Sequence, residues 1–436
     1  MSFPRYPKYK DSGVEWLGEV PKHWEAKRIG YFFTERREKV SDKDFPALSV
    51  TQNGIVPQLE TAAKTDDGDN RKKVCKGDFV INSRSDRKGS AGTSEFDGSV
   101  SLICTVLRAQ EQVHTPFVHH LLRCQPFQEE FYRNGKGIVA DLWSTNYSEM
   151  RNILLGMPPL TEQMVIATFL DSETNKIDEL VAKQQRLIEL LKEKRQAVIS
   201  YAVTKGLNPD APMKDSGIDW LGEVPEHWSV VPLKRVLEVK DGTHATPQYV
   251  DPAEGTFPLV TSKDFGETAI CFDEAKHIST DDHFEVVKRS NTERGDVLMS
   301  MIGGNIGKAL IVETERVFSI KNVALFKTFQ SDYLAKYVLY YIQSGLLDIQ
   351  IDLLSRGGAQ GFLGLGDIRN LVFFKMPPAE MQRLVQNLES RLAPFGELIK
   401  AAEEYFMLMQ ERRSVLISAA VTGQIDVRGL VEKEAA

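Results

Sequence analysis

Long apolar runs are missing from the 436 residues. With no stretch of roughly 18 or more such residues, no transmembrane helix is expected. The opening MSFPRYPKYKDSG also lacks the apolar core of a secretory signal, so a cytoplasmic location is expected. A basic excess is missing too: 54 Lys and Arg face 61 Asp and Glu, a formal net charge of −7. That excludes a chain that grips nucleic acid by bulk charge and leaves room only for a local basic surface. Cysteine is scarce. Cys75, Cys104, Cys124 and Cys271 form no CxxC pair and read as isolated thiols, neither a zinc site nor a disulfide frame.

Catalytic signatures are missing as well. There is no HExxH, no GxSxG and no paired metal-ligand spacing. Gly303-Gly304-Asn305-Ile306-Gly307-Lys308-Ala309 fails as a phosphate loop, because Ile302 sits where the first glycine belongs and Ala309 replaces the magnesium-binding hydroxyl. Met157-Pro158-Pro159 and Asn208-Pro209-Asp210 lack the aromatic residue that an amino-methyltransferase stacks on its target base. His23 and His227 read as packing partners of Trp24 and Trp228, and His119-His120 as part of an amphipathic helix. No catalytic residue, metal site or cofactor site is expected in this chain.

What is present is the same chain written twice. Lys10 to Trp24 reads KDSGVEWLGEVPKHW and Lys214 to Trp228 reads KDSGIDWLGEVPEHW, with three of fifteen positions different. MPPLTEQMVIATFL from Met157 is echoed by MPPAEMQRLVQNL from Met376, and EKRQAVISYAVT from Glu193 by ERRSVLISAAVT from Glu411. A period of about 215 residues is too long for a solenoid and implies a duplicated two-part unit. The expected segments are a signature (1–24), a first globular head (25–156), a long helix (157–212), the repeated signature (213–228), a second head (229–375) and a second long helix (376–436).

An apolar stripe of period 3.5 runs through Ile177, Leu180, Leu187, Leu191 and Val198, and through Phe395, Leu398, Ala402, Tyr405, Met409, Leu416 and Ala419. One heptad register in both copies predicts two helices packed along a seam, with Thr161 capping the first and Pro377-Pro378 preceding the second. A helix from about Glu162 to Thr204 is on the order of 60 Å long. A domain with a radius of gyration near 15 Å cannot easily carry the chain back along it, so the helices are expected antiparallel with one head at each end.

The heads share a skeleton. Phe45–Val50 aligns with Phe257–Ser262, and Lys76-Gly77-Asp78 and Arg294-Gly295-Asp296 both precede apolar strands as turn chemistry would. A further strand (100–107; 318–326), a helical stretch (115–132; 331–350) and a glycine-rich loop follow in each. Both are expected to be small α+β domains of one fold. Their polar loops suit nucleic acid, since Arg forks onto guanine, Asn onto adenine, and Ser and Lys suit phosphates. Asn82–Gly89 supplies such a loop in the first head, and Asp241–Pro247, Ser300–Lys308 and Ser355–Gln360 supply them in the second.

This arrangement resembles the specificity subunit of type I restriction–modification systems, the HsdS family. The resemblance rests on the duplicated signatures, on the two MPP-led helices, the first with Thr161-Glu162-Gln163, and on Asp241-Gly242-Thr243-His244-Ala245-Thr246-Pro247 in the second head. The second helix departs from the PPLxEQ start, reading Pro377-Pro378-Ala379-Glu380-Met381-Gln382. The resemblance implies a non-catalytic subunit whose heads are target-recognition domains. Each would read one half of an asymmetric, split site on double-stranded DNA. The helices would set the spacing and dock two modification subunits carrying S-adenosylmethionine for adenine-N6 methylation. Two restriction subunits, with ATP and Mg, are optional further members. The expected DNA-facing residues are Gln52, Arg84, Arg87 and Lys88 in the first head, and Thr243, His244, Lys263, Asn305, Lys308, Arg356 and Gln360 in the second. Partner docking is expected on the helices around Ile177, Leu187, Leu191, Phe395, Tyr405 and Leu416. A two-headed protein scaffold that never touches DNA is the alternative that duplication and coiled coil alone would support.

Overall fold

The computed structural model describes residues 3–59, 68–138, 143–354 and 361–430. It divides into two compact units, residues 1–185 with 404–436, and residues 186–403. Each unit holds one head and part of each long helix.

In the first unit the signature folds as a hairpin, Tyr9–Asp11 against Glu19–Pro21, and the next strand, Glu25–Arg28, pairs antiparallel with Leu154–Met157. The head is built on a four-stranded antiparallel sheet in the order Ala91–Thr93, Phe79–Asn82, Cys104–Ala109, Phe33–Glu35. The second unit repeats this plan. Met213–Asp215 pairs with Glu223–Pro225 and Ser229–Pro232 with Val372–Lys375. Its core sheet runs Ala309–Ile311, Val297–Ser300, Val323–Lys327, Glu238–Asp241 in the same order.

The glycine of each Gly-Asp turn explains its repetition. Gly77 and Gly295 both sit at φ +89, a left-handed conformation that glycine adopts without a Cβ clash. The following aspartate is buried and accepts the backbone N–H three residues earlier, Cys75 to Asp78 at 2.8 Å and Glu293 to Asp296 at 2.8 Å. A cation from another strand of the same head, or from the residue after it, closes each turn. Arg36 forks onto Asp78 at 2.7 and 3.1 Å, and Lys327 meets Asp296 at 2.6 Å.

From these turns onward the copies keep one spacing at most positions: Asp78 and Asp296, Gly89 and Gly307, Glu162 and Glu380, and Thr204 and Thr422 are each 218 positions apart, with Met157 and Met376 at 219. Before the turns they diverge, because Trp24 and Trp228 are only 204 apart. The smaller sheets differ accordingly. The first head has Gly98–Val100, Arg71–Val74 and Lys39–Val40 beside a Leu48–Thr51/Gly54–Pro57 hairpin. The second has a four-stranded sheet with one parallel pair, Phe257–Val260 beside Ser319–Ile320, and an added helix, Thr280–Val287.

The expected helical stretches are each two helices. Thr115–Leu121 is followed by Gln125–Arg133, and Asp332–Gln343 by Leu346–Leu354, the latter pair joined through Gly345 at φ +84. The expected strands 100–107 and 318–326 are likewise divided, the second at Asn322 with φ +54.

The long helices span Leu160–Lys205 and Pro378–Val421. Within each unit they run antiparallel. In the first, Glu162 lies under Trp24, which also packs over Gly423, and Asp178 pairs with Arg413. In the second, Glu380 lies by Gly206 and Lys192 pairs with Glu403. The seam differs from the expected stripe. Ile177, Ile188 and Ile199 are buried, whereas Leu180 and Leu187 are exposed. One helical residue turns about 100°, so Leu187, beside Ile188, faces away from the seam. Thr161 is no cap; it lies inside the first helix, whose leading carbonyl is that of Pro159, accepting from Glu162 and Gln163.

Candidate nucleic-acid interface and the helix clamp

The repeated signature does its work at the start of each long helix. Glu162, nearly sealed from solvent, accepts from Trp24 Nε1 at 2.9 Å and Tyr6 Oη at 2.7 Å, and meets His23 Nε2 at 2.7 Å. Glu380 accepts from Trp228 Nε1 at 3.0 Å and meets His227 Nε2 at 2.7 Å. The His-Trp pair that ends both signatures is therefore a clamp on a first-turn carboxylate, a favoured place for negative charge on a helix. Packing alone was the expectation for these histidines. The signal that could have revealed the clamp was present: both helices carry a glutamate in the first turn, although the MPP motifs set it one position apart.

In each head the candidate loop leaves the central strand, makes a 3₁₀ turn (Ser85–Arg87; Gly303–Asn305) and returns through a left-handed glycine, Gly89 or Gly307. The same bonds hold both loops. Asn82 N–H donates to the Ser90 carbonyl and Ser300 N–H to that of Lys308, each at 2.9 Å. Ser85 N–H reaches the Trp143 carbonyl at 3.1 Å, and Gly303 N–H that of Gly361 at 2.9 Å. Arg87 and Asn305 thus hold one structural position in two copies.

Arg84, Arg87 and Lys88 are exposed on the first loop, and Gln52 reaches it by donating to the Lys88 carbonyl at 3.1 Å. Arg87 lies 3.7 Å from Asp86 and Lys88 lies over the Tyr132 ring. The four residues expected to face DNA are thus brought together on one surface.

In the second head, Asn305 is exposed on its loop, while Lys308 turns its ammonium onto the Phe265 carbonyl. Lys263 lines a cleft of about 680 Å³ together with Tyr249, Lys276, Lys321 and Asn322, residues that no sequence motif singled out. Thr243 is half-buried and tied through its backbone to Ile320 and Asn322. His244 has both ring nitrogens engaged, Nδ1 with Asn322 Oδ1 at 2.9 Å and Nε2 with Asp241 Oδ2 at 2.8 Å. Asp241 also holds Arg289, at 2.8 Å from Nε. The exposed ring that was expected to face DNA also braces its own loop. Arg356 and Gln360 lie outside the described residues.

The expected docking residues separate by burial. Ile177 and Leu416 are buried in the core of the first unit. Leu191 and Phe395 are half-buried. Leu187 and Tyr405 are exposed, with Met407, Leu408 and Val415 exposed near Tyr405, and Leu190 and Leu398 exposed in the second unit. Among the described residues no group of acidic, histidine or cysteine side chains could hold a metal, and no helix is long and apolar enough to cross a membrane.

No family model matches the chain. Curated relatives do. The chain is similar to the type I restriction enzyme MjaVIII specificity subunit of Methanocaldococcus jannaschii, at 24% identity over 94% of this chain and 95% of that protein. It is also similar to the EcoBI specificity subunit of Escherichia coli, at 22% identity over 76% of this chain and 70% of that one. Among solved structures it shares its fold with a chain from work on complex assembly and conformational transition of the type I R-M system. That match has a TM-score of 0.64 and 17% identity, and it covers 92% of this chain and 98% of the other. The relatives matched in sequence are thus type I restriction enzyme specificity subunits, the kind of protein that the duplicated signatures resemble, and the solved chain shares the fold.

Proposed function

We propose that this chain is the DNA-specificity subunit of a cytoplasmic type I restriction–modification complex, with no catalytic residue of its own. The recognition domains are residues 25–156 and 229–375. Each reads one half of a split, asymmetric site on double-stranded DNA. The observation that carries this reading is the matched pair of loops, Asn82–Ser90 and Ser300–Lys308, which share a backbone frame and differ in the side chains they expose. A common frame with Arg87 in one copy and Asn305 in the other suits two heads that present different hydrogen-bonding groups to base edges.

Base-reading duties fall to Arg84 and Arg87 with Gln52 and Lys88 in the first head. In the second they fall to Asn305, Lys263 and the outer face of the Thr243–His244 loop, with Arg356 and Gln360 as further candidates. Lys308 supports the loop frame. The exposed residues Leu187 and Tyr405, with their apolar neighbours, dock two modification subunits. Those subunits supply S-adenosylmethionine for adenine-N6 methylation, and two restriction subunits add ATP- and Mg-dependent cleavage. The acidic balance of this chain fits partners that provide much of the phosphate grip.

Base-resolution mapping of N6-methyladenine in a host with and without this gene tests the reading. Loss of methylation at one split motif is the expected result. An unchanged methylome, with the modification subunits demonstrably expressed, overturns it and leaves a protein scaffold as the better account.

A further inference from the structure

We propose that the cleft between the short helices of the first head and the C-terminal turns of the second long helix is an oxyanion site that takes one backbone phosphate of the DNA duplex. The inference rests on the DNA-binding function above. The cleft, of about 400 Å³, is lined by Gln52, Lys88, His119, Arg123, Gln128 and Arg413 among others, and no lining residue is a carboxylate.

Its chemistry is a surplus of donors. Arg123 donates from Nη2 to the Gln52 carbonyl at 2.6 Å, its Nη1 faces His119 Nε2, and its Nε is sealed from solvent with no partner. The other nitrogen of His119, Nδ1, faces the backbone N–H of Thr93 at 3.2 Å. A neutral imidazole carries one N–H and one acceptor nitrogen, so it cannot accept from both sides. At least one hydrogen-bond donor in this cluster therefore faces another donor, and the Arg123 Nε–H faces nothing. Burial, then the charge of Arg123, holds His119 far below its usual range, at about 3, so the ring adds no charge to offset. Arg413 brings a second guanidinium, although Asp178 already holds it by two bonds at 2.7 and 3.0 Å. Asp171 and Asp178 hold His120 and Arg413 from outside the lining, but no carboxylate meets Arg123. A surplus of donors on the lining calls for a ligand that only accepts and has more than one oxygen, which describes a phosphate.

The surroundings favour a phosphate of DNA. The cleft opens at Gln52 and Lys88, and Lys88 ends the exposed loop that carries Arg84 and Arg87. A phosphate contact there would continue the surface that reads bases and fix its register. The site belongs to the first head only: 218 positions later stand Tyr337 and Tyr341, both fully buried in an apolar core.

The test uses the full chain purified with its modification subunits and a DNA duplex titrated at several salt concentrations. In Arg123→Gln the slope of log affinity against log salt should fall by about 1, and affinity should drop uniformly across duplex sequences. Inorganic phosphate exchanged for chloride at equal ionic strength should raise the melting temperature of the wild type and compete with duplex, and it should do neither in Arg123→Gln. Arg413→Gln, in the cleft but outside the base-reading loop, should shift the slope in the same direction and decides the matter if Arg123→Gln does not fold. An unchanged slope in folded variants overturns the proposal. So does loss of the modification subunits with the slope intact, which would assign the cleft to an acidic protein partner. Stabilisation by phosphate without competition would reduce it to a site for a free anion. Failure of the wild type to bind any duplex would instead overturn the DNA-binding function itself.

Discussion

Trp24 donates its indole N–H to Glu162 at 2.9 Å, joining the end of the first signature to the first turn of the first long helix. Because Tyr6 and His23 converge on the same carboxylate, removing it strands a buried indole N–H and a buried phenol. Each such group costs about 1–3 kcal/mol when left unpaired. Glu162→Ala should therefore lower stability by about 2–6 kcal/mol in chemical denaturation, in line with leaving two such groups unpaired. Glu380→Ala should cost less, about 1–3 kcal/mol, because its clamp has no tyrosine and is more exposed. Equal losses in the two variants would show that Tyr6 contributes nothing.

Stability should decline in mild acid. His119 is held at about 3 by burial and then by Arg123, with His120, Asp171 and Arg413 the other charged or titratable groups acting on it. The folded ring stays neutral while the unfolded chain takes up a proton below about pH 6.5, so the unfolded state binds more protons across that interval. Stability from this source is intact above about pH 6.5 and falls toward pH 3, by at most about 1.4 kcal/mol per pH unit. Burial pushes His114 and His283 in the same direction. Denaturant midpoints at about pH 7 and pH 5 should differ in the wild type and differ less in His119→Asn, with His114 and His283 supplying the remainder.

Burial along the long helices separates folding from assembly. Ile177→Ala removes a buried side chain and should cost about 2–5 kcal/mol. Leu187→Asp alters an exposed one and should leave the melting temperature of the chain nearly unchanged while weakening co-purification with a modification subunit. Asp178→Asn breaks an exposed pair with Arg413 and should cost under about 1 kcal/mol. A Leu187→Asp chain that still co-purifies in full would remove this face from the docking surface.

The loops should respond differently to substitution. Arg87→Ala should relax one position of the first half-site by about 1–3 kcal/mol, visible as broadened N6-methyladenine motifs. His244→Ala removes a ring bonded to both Asp241 and Asn322, so it should weaken use of the second half-site without broadening it. A broadened second half-site in His244→Ala would return this side chain to direct base reading.

Duplication and helices were legible in the sequence because they repeat: fifteen nearly identical residues and a sustained heptad leave little freedom. Ile177, Ala402, Met409 and Leu416 are buried as the stripe predicted, but Leu180 and Leu187 also read as seam residues because they are as apolar as Ile188, and hydropathy alone does not say which face a partner covers. The basic loop of the first head was legible from composition, since a run of Arg and Lys after an apolar strand has few places to go but outward. Arg123 and Asn322 were not. Each is a lone polar residue in ordinary surroundings, and its role arises from chain segments distant in sequence, Gln52 and Thr93 near the first and Asp241 with His244 near the second.

The lead-in to the second helix is one residue shorter than that of the first, MPP-A-E against MPP-L-T-E, yet the glutamate remains the third residue of both helices. The shortfall is absorbed because helix two begins on Pro378 itself, a position where proline's missing N–H costs no bond. A deletion before the helix is thus silent. The same deletion between Glu162 and Ile177 would rotate every later side chain by about 100° relative to the clamp, turning the buried face toward water. Insertions and deletions should therefore be tolerated up to the proline pair and excluded from the turns beyond it, so that evolution can lengthen or shorten a head while the phase between clamp and seam stays locked.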